Sequence, residues 1–365
     1  MTRFGRRAHS TRYLWTDAFA VCNYLALGEV DLAVRLVHQV HHTLGKHRLD
    51  DRRTGWLSGL ADGFGDSRPT AGGLRIGKEL PERRPGAPVD EQLEWERDGQ
   101  YFHYLTKWMH ALDRVAVATR SPLYARWSRD LADVAYRKFV HGSRMYWKMS
   151  IDLTRPLVGA MGLHDPFDGY VTYRQLQATS GTHDLDGAIA AFAAMIEPDL
   201  ITTADPLGIG GLLFHAQRCA ILGDVEHLEL ALVAALSGLR VFIEGFDSRA
   251  PVDHRIAFRE LGLAIGLHAA ATIQAPTPDT RFLLEELATL DSLRDELESF
   301  WLDPQNRARP GWRAHLDINE VMLATSLVPS GLLLSPRGAA AFDLTRNGCA
   351  IERAKPPARP AHGML

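Results

Sequence analysis

The sequence predicts an all-α protein in which about six helical hairpins close into one ring. Apolar residues recur at helical spacing through most of the chain, and few segments alternate with period two over the length of a strand. An aromatic residue followed closely by an acid also opens several apolar helices, and such recurrence indicates one supersecondary unit that is used repeatedly. The recurring pairs are Trp15 with Asp17, Trp95 with Asp98, Trp147 with Asp152, and Trp312 with Asp317.

The first predicted hairpin shows how the elements are delimited. A helix over 15–27 ends at Gly28 and its partner over 29–44 ends at Gly45, because Gly just past the last turn is a favoured helix stop. Further hairpins follow the same pattern, and the last pairs a strong helix with a weak one. Their ranges are 92–118 with 121–141, 149–161 with 184–197, 206–222 with 225–245, 254–272 with 279–301, and 312–328 with 337–345.

The number of hairpins also predicts the domain organisation. In a ring of hairpins the helices alternate between an inner and an outer layer, and about six hairpins close it. We therefore expect a single domain over 1–345, followed by a loose, Pro-rich tail at 346–365.

The connection at 46–91 is by far the longest between an outer helix and the next inner one. It is rich in Gly, Pro and Arg, and long connections in compact domains are usually functional lids or binding loops. We expect it to lie over the mouth of the ring, where the inner helices start. Arg75 and Lys78 then favour contact with an anionic group such as a uronate or a phosphate, although a solvated loop is the simpler alternative.

Composition and charge exclude several classes of function. The 365 residues carry a net charge of -3, so the molecule has no general attraction for nucleic acid or for an anionic membrane. The longest uncharged run, 321–336, is too short to span a bilayer and contains Pro329. No nucleotide-binding motif is present, and we expect no cofactor.

The cysteines bear on localisation. Cys22, Cys219 and Cys349 are far apart in the sequence. An odd number without a spacing motif predicts reduced thiols in a cytoplasmic protein.

The segment 94–110 is the densest in chemically useful side chains. Glu94 and Asp98 begin the helical face that continues with Tyr101. A carboxyl group beside buried aromatic rings has a raised pKa that suits a general acid, and Trp95 and Tyr101 are placed to stack on a sugar ring. The alternative is that both acids only complement the helix dipole in the first turn.

Asp17, beside Trp15, has the same two interpretations. It is either a structural acid at the start of a helix or a functional group at the mouth of the ring. His315 is two residues from Asp317, so the two side chains point to different sides of a helix. Trp312 opens the same segment as an aromatic candidate.

The histidines at 38, 41 and 42 have the spacing of metal ligands, but we predict no metal. His38 and His42 are four residues apart, yet the Glu of the helical zinc motif is missing and the helix is predicted to be outer. The acid-rich segments at 164–168 and 183–186 are predicted to be turns, since turn and cap chemistry accounts for both.

WTDAF at 15–19 and EWERDGQY at 94–101, placed at the starts of inner helices, resemble motifs of the (α/α)6-barrel sugar enzymes. These include the six-hairpin glycosidases and the N-acylglucosamine 2-epimerase-like proteins, and the resemblance covers about 15–345. In that superfamily the substrate cleft lies where the inner helices start. The resemblance implies a carbohydrate-active enzyme whose ligand is a small sugar or an oligosaccharide.

Three functions follow, and the sequence leaves them open. A glycoside hydrolase is favoured, with Asp17 and Asp98 as the carboxyl pair, Glu94 nearby, and substrate contacts from Trp15, Arg75, Lys78, Trp95, Tyr101 and Trp312. A sugar epimerase or isomerase would use paired histidines on late inner helices, which the resemblance places at His254 or His268 together with His315. The third is a helical protein without enzymatic activity that holds a ligand or partner in its mouth.

Overall fold

A computed structural model describes residues 12–335 of the protein. This part of the chain is mostly helical, which confirms the predicted all-α class. The predicted helix at 337–345 and the tail at 346–365 lie outside the described residues.

Helices occupy most of the described chain, with five short strands between them. The first eight helices are α1 (Leu14–Ala26), α2 (Val30–Leu44), α3 (Asp62–Ser67), α4 (Glu91–Glu94), α5 (Phe102–Thr119), α6 (Pro122–Phe139), α7 (Asp165–Ser180) and α8 (Asp186–Ala193). The later ones are α9 (Pro206–Ile221), α10 (Val225–Gly245), α11 (Ala257–Ala271), α12 (Pro278–Ala288), α13 (Asp291–Leu302), α14 (Pro304–Arg307), α15 (Pro310–Arg313) and α16 (Leu316–Leu327). The strands are β1 (Gln100–Tyr101), β2 (Val140–His141), β3 (Arg144–Met145), β4 (Lys148–Met149) and β5 (Pro156–Val158). One of them, β1, comes just before α5, and the other four lie between α6 and α7.

Six helices contact one another in a closed sequence. Helix α1 packs on α5, α5 on α7, α7 on α9, α9 on α11, α11 on α16, and α16 returns to α1. Most of these helices have a partner that follows in the chain: α2 on α1, α6 on α5, α8 on α7, α10 on α9, and α12 with α13 on α11. The apolar faces of both sets form one continuous core.

Glycines bring α9 and α11 unusually close together. A Cβ atom on Gly210 would lie 2.0 Å from the carbonyl oxygen of Gly262, and one on Gly266 would lie 2.5 Å from the Cα of Gly210. Backbones can approach this closely only where neither residue carries a side chain. The Gly-rich sequence at 208–211 therefore serves helix packing.

The prediction for the third hairpin was wrong in its first helix. Residues 149–161, predicted as its inner helix, form β4, a turn and β5 instead. The helix that contacts both α5 and α9 is α7, which begins inside the segment that was predicted to be a turn. Pro166 stands in its first turn, where the missing N–H of proline costs nothing and its fixed φ favours the helix.

A small sheet also interrupts the predicted helix at 92–118. Only Glu91–Glu94 and Phe102–Thr119 are helical, and β1 between them pairs antiparallel with β4, with Gln100 opposite Met149. Gly99 permits this pairing because a Cβ atom there would lie 2.8 Å from the carbonyl oxygen of Met149.

The long segment at 46–91 is tied to the body by buried arginines. Arg75 Nη1 lies 2.6 Å from Asp98 Oδ2, and the same side chain donates to the carbonyl oxygens of Thr43 and Lys46. Asp98 is fully buried and also accepts hydrogen bonds from the backbone N–H groups of Gly77 and Gly99. Arg75 therefore holds the segment in place and is not available to a ligand.

Within residues 12–335, no helix is both long enough and apolar enough to cross a membrane.

The Arg75–Asp98 pair supplies a test of this anchor. We expect Asp98→Asn to lower the free energy of unfolding by about 3 to 5 kcal/mol, because the substitution leaves the Arg75 charge buried without its partner. Urea denaturation measures the loss. Asp133→Asn, which removes the exposed ion pair with Arg137, should cost less than about 0.5 kcal/mol. Equal small losses in both variants would contradict the anchor.

Candidate active site

A cavity of about 490 Å³ is lined by all six contacting helices. Helices α1, α5 and α7 contribute residues of their first two turns, α9 contributes residues from its start to its middle, and α11 and α16 contribute residues nearer their middle. The contributing side chains include Trp15 and Phe19 from α1, His103 and Lys107 from α5, Asp165 and Asp168 from α7, Phe214 and His215 from α9, Ile265 from α11, and Met322 from α16. The volume falls within the range of ligand sites.

Asp168 is held as a carboxylate by a buried cluster of donors. Lys107 Nζ lies 2.7 Å from Oδ2, which also accepts from the hydroxyl of Thr106, and Arg218 Nη2 lies 3.4 Å from Oδ1. Burial opposes ionisation, but the charges of Lys107 and Arg218 outweigh it and hold the pKa of Asp168 well below its usual range. The carboxylate thus links α5, α7 and α9.

Asp165, one helical turn earlier, has the opposite properties. Burial, followed by the negative charge of Asp168, raises the pKa of Asp165 to about 8. Its Oδ2 has no hydrogen-bond partner in the protein, and its Oδ1 lies 3.7 Å from His103 Nδ1. Asp165 is therefore a protonated carboxylic acid at neutral pH.

The cavity thus holds two carboxyl groups on one helix in different protonation states. A neutral carboxylic acid donates a proton, and a neighbouring carboxylate fixes the surrounding charges. Environments that separate the pKa values of two nearby acids in this way are typical of acid and base assignments in active sites.

Three histidines on the wall are neutral. Burial, followed by the charge of Lys107, lowers the pKa of His103 to about 3. Burial also lowers the pKa of His164 and lowers that of His215 well below its usual value. His164 Nε2 lies 2.7 Å from the carbonyl oxygen of Ile201 and donates to it. The Nδ1 of His103 has no hydrogen-bond partner.

Aromatic rings form much of the remaining wall. Trp15 and Phe19 lie one turn apart on α1, with ring centroids 5.2 Å apart, and Phe214 comes from α9. The indole Nε1 of Trp15 is buried without a partner. The wall therefore offers apolar faces together with a few unused polar atoms.

Asp205 is a third acid on the wall, at the start of α9. It caps that helix through the N–H of Gly208, and its Oδ1 lies 2.8 Å from Arg259 Nη1. About a third of its side chain is exposed, so water reaches this carboxylate more easily than it reaches Asp168.

A second cavity, of about 530 Å³, adjoins the first. Both are lined by Trp147 and Gly162. Glu94 and Trp95 line only the second one.

The predicted pair Asp17 and Asp98 is not brought together at either cavity, and neither residue lines one. Asp17 forms an ion pair with Arg12 at 3.1 Å. Burial, together with the smaller effect of the negative charge of Asp317, raises the pKa of Asp17 to about 6 against the opposing charge of Arg12. Asp98 is enclosed by arginines and backbone N–H groups. We therefore replace this pair as the candidate catalytic carboxyls.

The other predicted residues are distributed as follows. Trp15 lines the first cavity, while Glu94 and Trp95 line the second. Tyr101 is buried against Trp147, with ring centroids 4.7 Å apart. Trp312 belongs to the core, where it packs on Trp301.

The basic and imidazole candidates lie elsewhere. Lys78 Nζ sits over the ring of Tyr13 at 5.4 Å, and neither Lys78 nor Arg75 lines a cavity. His315 is exposed beside Phe258, and His254 is also exposed. His268 Nε2 lies 2.8 Å from Glu298 Oε1. None of these histidines lines the first cavity.

The cluster at 38–42 has structural contacts. His41 is buried and accepts a hydrogen bond from Trp108 Nε1 at 3.0 Å, and burial lowers its pKa to about 3. His42 faces Asp66 at 3.6 Å. Among residues 12–335, no group of three or more potential ligands is arranged to hold a metal ion.

The two acids of α7, together with Lys107 and His103, line the cavity but were not among the site residues predicted from the sequence. The available signal was the Asp-Pro pair at 165–166, which is as typical of a helix start as of a turn. A helix beginning there places both acids in its first turn.

No protein-family model matches the chain, and no curated protein has significant sequence similarity to it.

The raised pKa of Asp165 predicts how stability depends on pH. Between the ordinary pKa of 3.8 and about 8, the folded protein binds a proton at Asp165 that the unfolded chain has lost. Stability from this group is therefore lost as pH rises through that window, with a slope of up to about 1.4 kcal/mol per pH unit.

We expect Asp165→Asn to remove that slope. Urea denaturation at pH 5, 7 and 9 should show the variant gaining stability relative to the wild type as pH rises. Asp133→Asn, at an exposed position on α6, is the control and should run parallel to the wild type. A parallel curve for Asp165→Asn would mean that the group is ionised in the folded protein at neutral pH.

Proposed function

We propose that the protein is a carbohydrate-active enzyme of the glycoside hydrolase type, with Asp165 as its general acid. The arrangement that carries the proposal is the pair of carboxyl groups on α7. Asp168 is bound by Lys107, Thr106 and Arg218, whereas Asp165 is buried with an unpartnered Oδ2, and burial raises its pKa to about 8. The aromatic walls of the cavity support the same conclusion.

We also infer that the six contacting helices form the inner wall of an (α/α)6 barrel. The closed sequence of contacts from α1 through α16 and back to α1 supports this arrangement, as does the pairing of most inner helices with a following helix. Such a ring gathers the N-termini of its inner helices at one end, which explains why residues far apart in the sequence line one cavity.

In the proposed reaction, Asp165 donates its proton to the glycosidic oxygen as the bond from that oxygen to the anomeric carbon breaks. The leaving group departs as an alcohol. A water molecule attacks the anomeric carbon, and Asp205 accepts its proton, so one water is consumed and a free sugar is released. Asp205 is assigned as the base because it lines the same cavity and about a third of its side chain is exposed, so water can approach it although it also caps α9 and pairs with Arg259.

Asp168 and Lys107 act on the reaction through position and charge. Asp168 accepts hydrogen bonds from Lys107, Thr106 and Arg218, and these contacts make its carboxylate a weak base. Its negative charge raises the pKa of Asp165, and this keeps the acid protonated until the substrate is bound.

The walls support a neutral sugar as the substrate. Trp15 and Phe214 provide apolar faces, and the cationic group on the wall, Lys107, is already paired with Asp168. The unpartnered atoms of Trp15, His103 and Asp165 give a polyhydroxylated ring several hydrogen-bond partners.

Replacing Asp165 tests the acid. Hydrolysis of a panel of 4-nitrophenyl glycosides and neutral disaccharides should fall by about 100-fold or more in Asp165→Asn, because general acid catalysis contributes that much. In the wild type, kcat/KM should decline as pH rises through about 8, where Asp165 loses its proton. Asp133→Asn is the control. Full activity of Asp165→Asn on every hydrolysed substrate would refute the assignment.

Gly162 tests the placement of the same carboxyl group. A Cβ atom at Gly162 would lie 2.7 Å from Asp165 Oδ2, whereas one at Gly187, an exposed residue that lines neither cavity, would meet open space. Gly162→Ala should therefore displace the acid and lower kcat by about 10- to 100-fold, and Gly187→Ala should leave kcat unchanged. An equal effect of both substitutions would show that the carboxyl position is not what limits the rate.

An isomerase is the second candidate, favoured by the neutral imidazole of His103 on the cavity wall, whose Nδ1 has no hydrogen-bond partner. A neutral histidine would take a proton from the carbon beside a carbonyl and return it to a neighbouring position. Incubation of aldoses and N-acyl hexosamines in D₂O separates the candidates. Deuterium incorporation without cleavage supports the isomerase, and cleavage without incorporation at carbon supports the hydrolase.

A further inference from the structure

The second cavity lies directly against the proposed active site. Its walls come from the segment at 89–95 on one side and from 157–162 on the other, and it shares Trp147 and Gly162 with the first cavity. The two cavities are therefore neighbours that meet at Trp147 and Gly162.

Trp95 presents an uncovered aromatic surface to this cavity. Its side chain is 55% exposed, and its ring meets Trp147 edge to face with centroids 4.6 Å apart. Trp147 is in turn braced by Tyr101. Val89 on the second cavity and Leu163 on the first are also more than half exposed. Exposed apolar groups gathered around a concavity indicate a binding surface.

Glu94 supplies an unused acceptor at the same place. The residue is only 3% exposed, and its Oε1 is bound by Arg83 at 2.6 Å. Its Oε2 is buried and has no hydrogen-bond partner, and Lys148 Nζ lies 3.7 Å from it. A buried carboxylate oxygen without a donor is costly, so a ligand hydroxyl group that reaches it from the second cavity would supply the missing hydrogen bond.

The charges select the class of ligand. Among the described residues, the charged side chains that line the second cavity are Glu91 and Glu94, both acids. Glu94 is paired with Arg83, but Glu91 would repel an anionic sugar, and no Lys, Arg or His is among the described residues that line this cavity. A neutral sugar ring has an apolar face for Trp95 and hydroxyl donors for Glu94.

We propose that the second cavity is a binding subsite for a second neutral sugar ring, so that the ligand is an oligosaccharide that passes Trp147 and occupies both cavities. The identity of the ring in the first cavity rests on the proposed function. Binding in the second cavity does not require that any bond be cleaved.

The test compares the binding of disaccharides with that of single sugars. Isothermal titration of maltose, cellobiose, lactose and N,N′-diacetylchitobiose is set against glucose, galactose and N-acetylglucosamine, in an Asp165→Asn background that prevents turnover. Trp95→Ala removes the stacking surface. Gly159→Phe fills the second cavity from a position where an added side chain meets open space. Phe282→Ala is the matched control, because Phe282 is an exposed aromatic residue that lines neither cavity.

At least one disaccharide should bind about tenfold or more tightly than its monosaccharide, which corresponds to the burial of one further ring face. Trp95→Ala and Gly159→Phe should abolish that gain and leave monosaccharide affinity unchanged, and Phe282→Ala should preserve it. The proposal is overturned if no disaccharide binds, if the second ring adds no affinity, or if the gain survives both substitutions. Cleavage of the same sugars by the wild type, followed by NMR, reports separately on the hydrolase.

Discussion

The buried ion cluster around Asp168 is the interaction on which the rest of the proposed site depends. A carboxylate can remain ionised away from water only if it is paired and hydrogen-bonded, and here the partners come from three different helices. Lys107 lies 61 residues before Asp168 in the chain and Arg218 lies 50 residues after it. The cluster therefore fixes how α5, α7 and α9 meet, and the same contact sets the electrostatic environment of the cavity.

The protonation of Asp165 follows from that cluster. Asp165 shares the first turn of α7 with Asp168, so it experiences both the low polarity of its surroundings and the negative charge one turn away. A helix start would ordinarily favour the ionised form, but here desolvation and repulsion are stronger. The protein keeps a neutral acid with one uncommitted oxygen at the cavity, and this arrangement contributes nothing to packing. An unsatisfied polar group that the fold maintains is more readily explained by chemistry than by stability.

Much of the fold was predictable, because the helices carry local signals. Gly28 follows the first helix in a left-handed conformation with φ of +76°, and Gly45 also ends its helix as predicted. The start of α7 was not predictable in the same way. It contains His, Asp, Pro and Gly, which favour turns when considered alone, and its Asp-Pro pair is equally typical of a helix start. What distinguishes the two in the folded protein is the set of contacts from Asp168 to Lys107 on α5 and Arg218 on α9, and such distant contacts have no signature in a local window. Asp165 and Asp168 were predicted to be turn residues for that reason.

The arginines of the segment at 46–91 also show that a sequence does not reveal the partners of a charged side chain. Their partners in the structure bear on the charge of the ligand. A sequence cannot distinguish an arginine that binds a substrate anion from one that neutralises a buried acid, since both require the same donors. Arg75 donates hydrogen bonds to Asp98 and to backbone carbonyl oxygens, and Arg83 is bound to Glu94. On the cavity wall, Lys107 is bound to Asp168. With its cations paired internally and Asp165 neutral, the wall has little net charge to offer an anion. Aromatic faces and unpartnered hydrogen-bonding atoms remain, and these suit a neutral, hydroxyl-rich molecule.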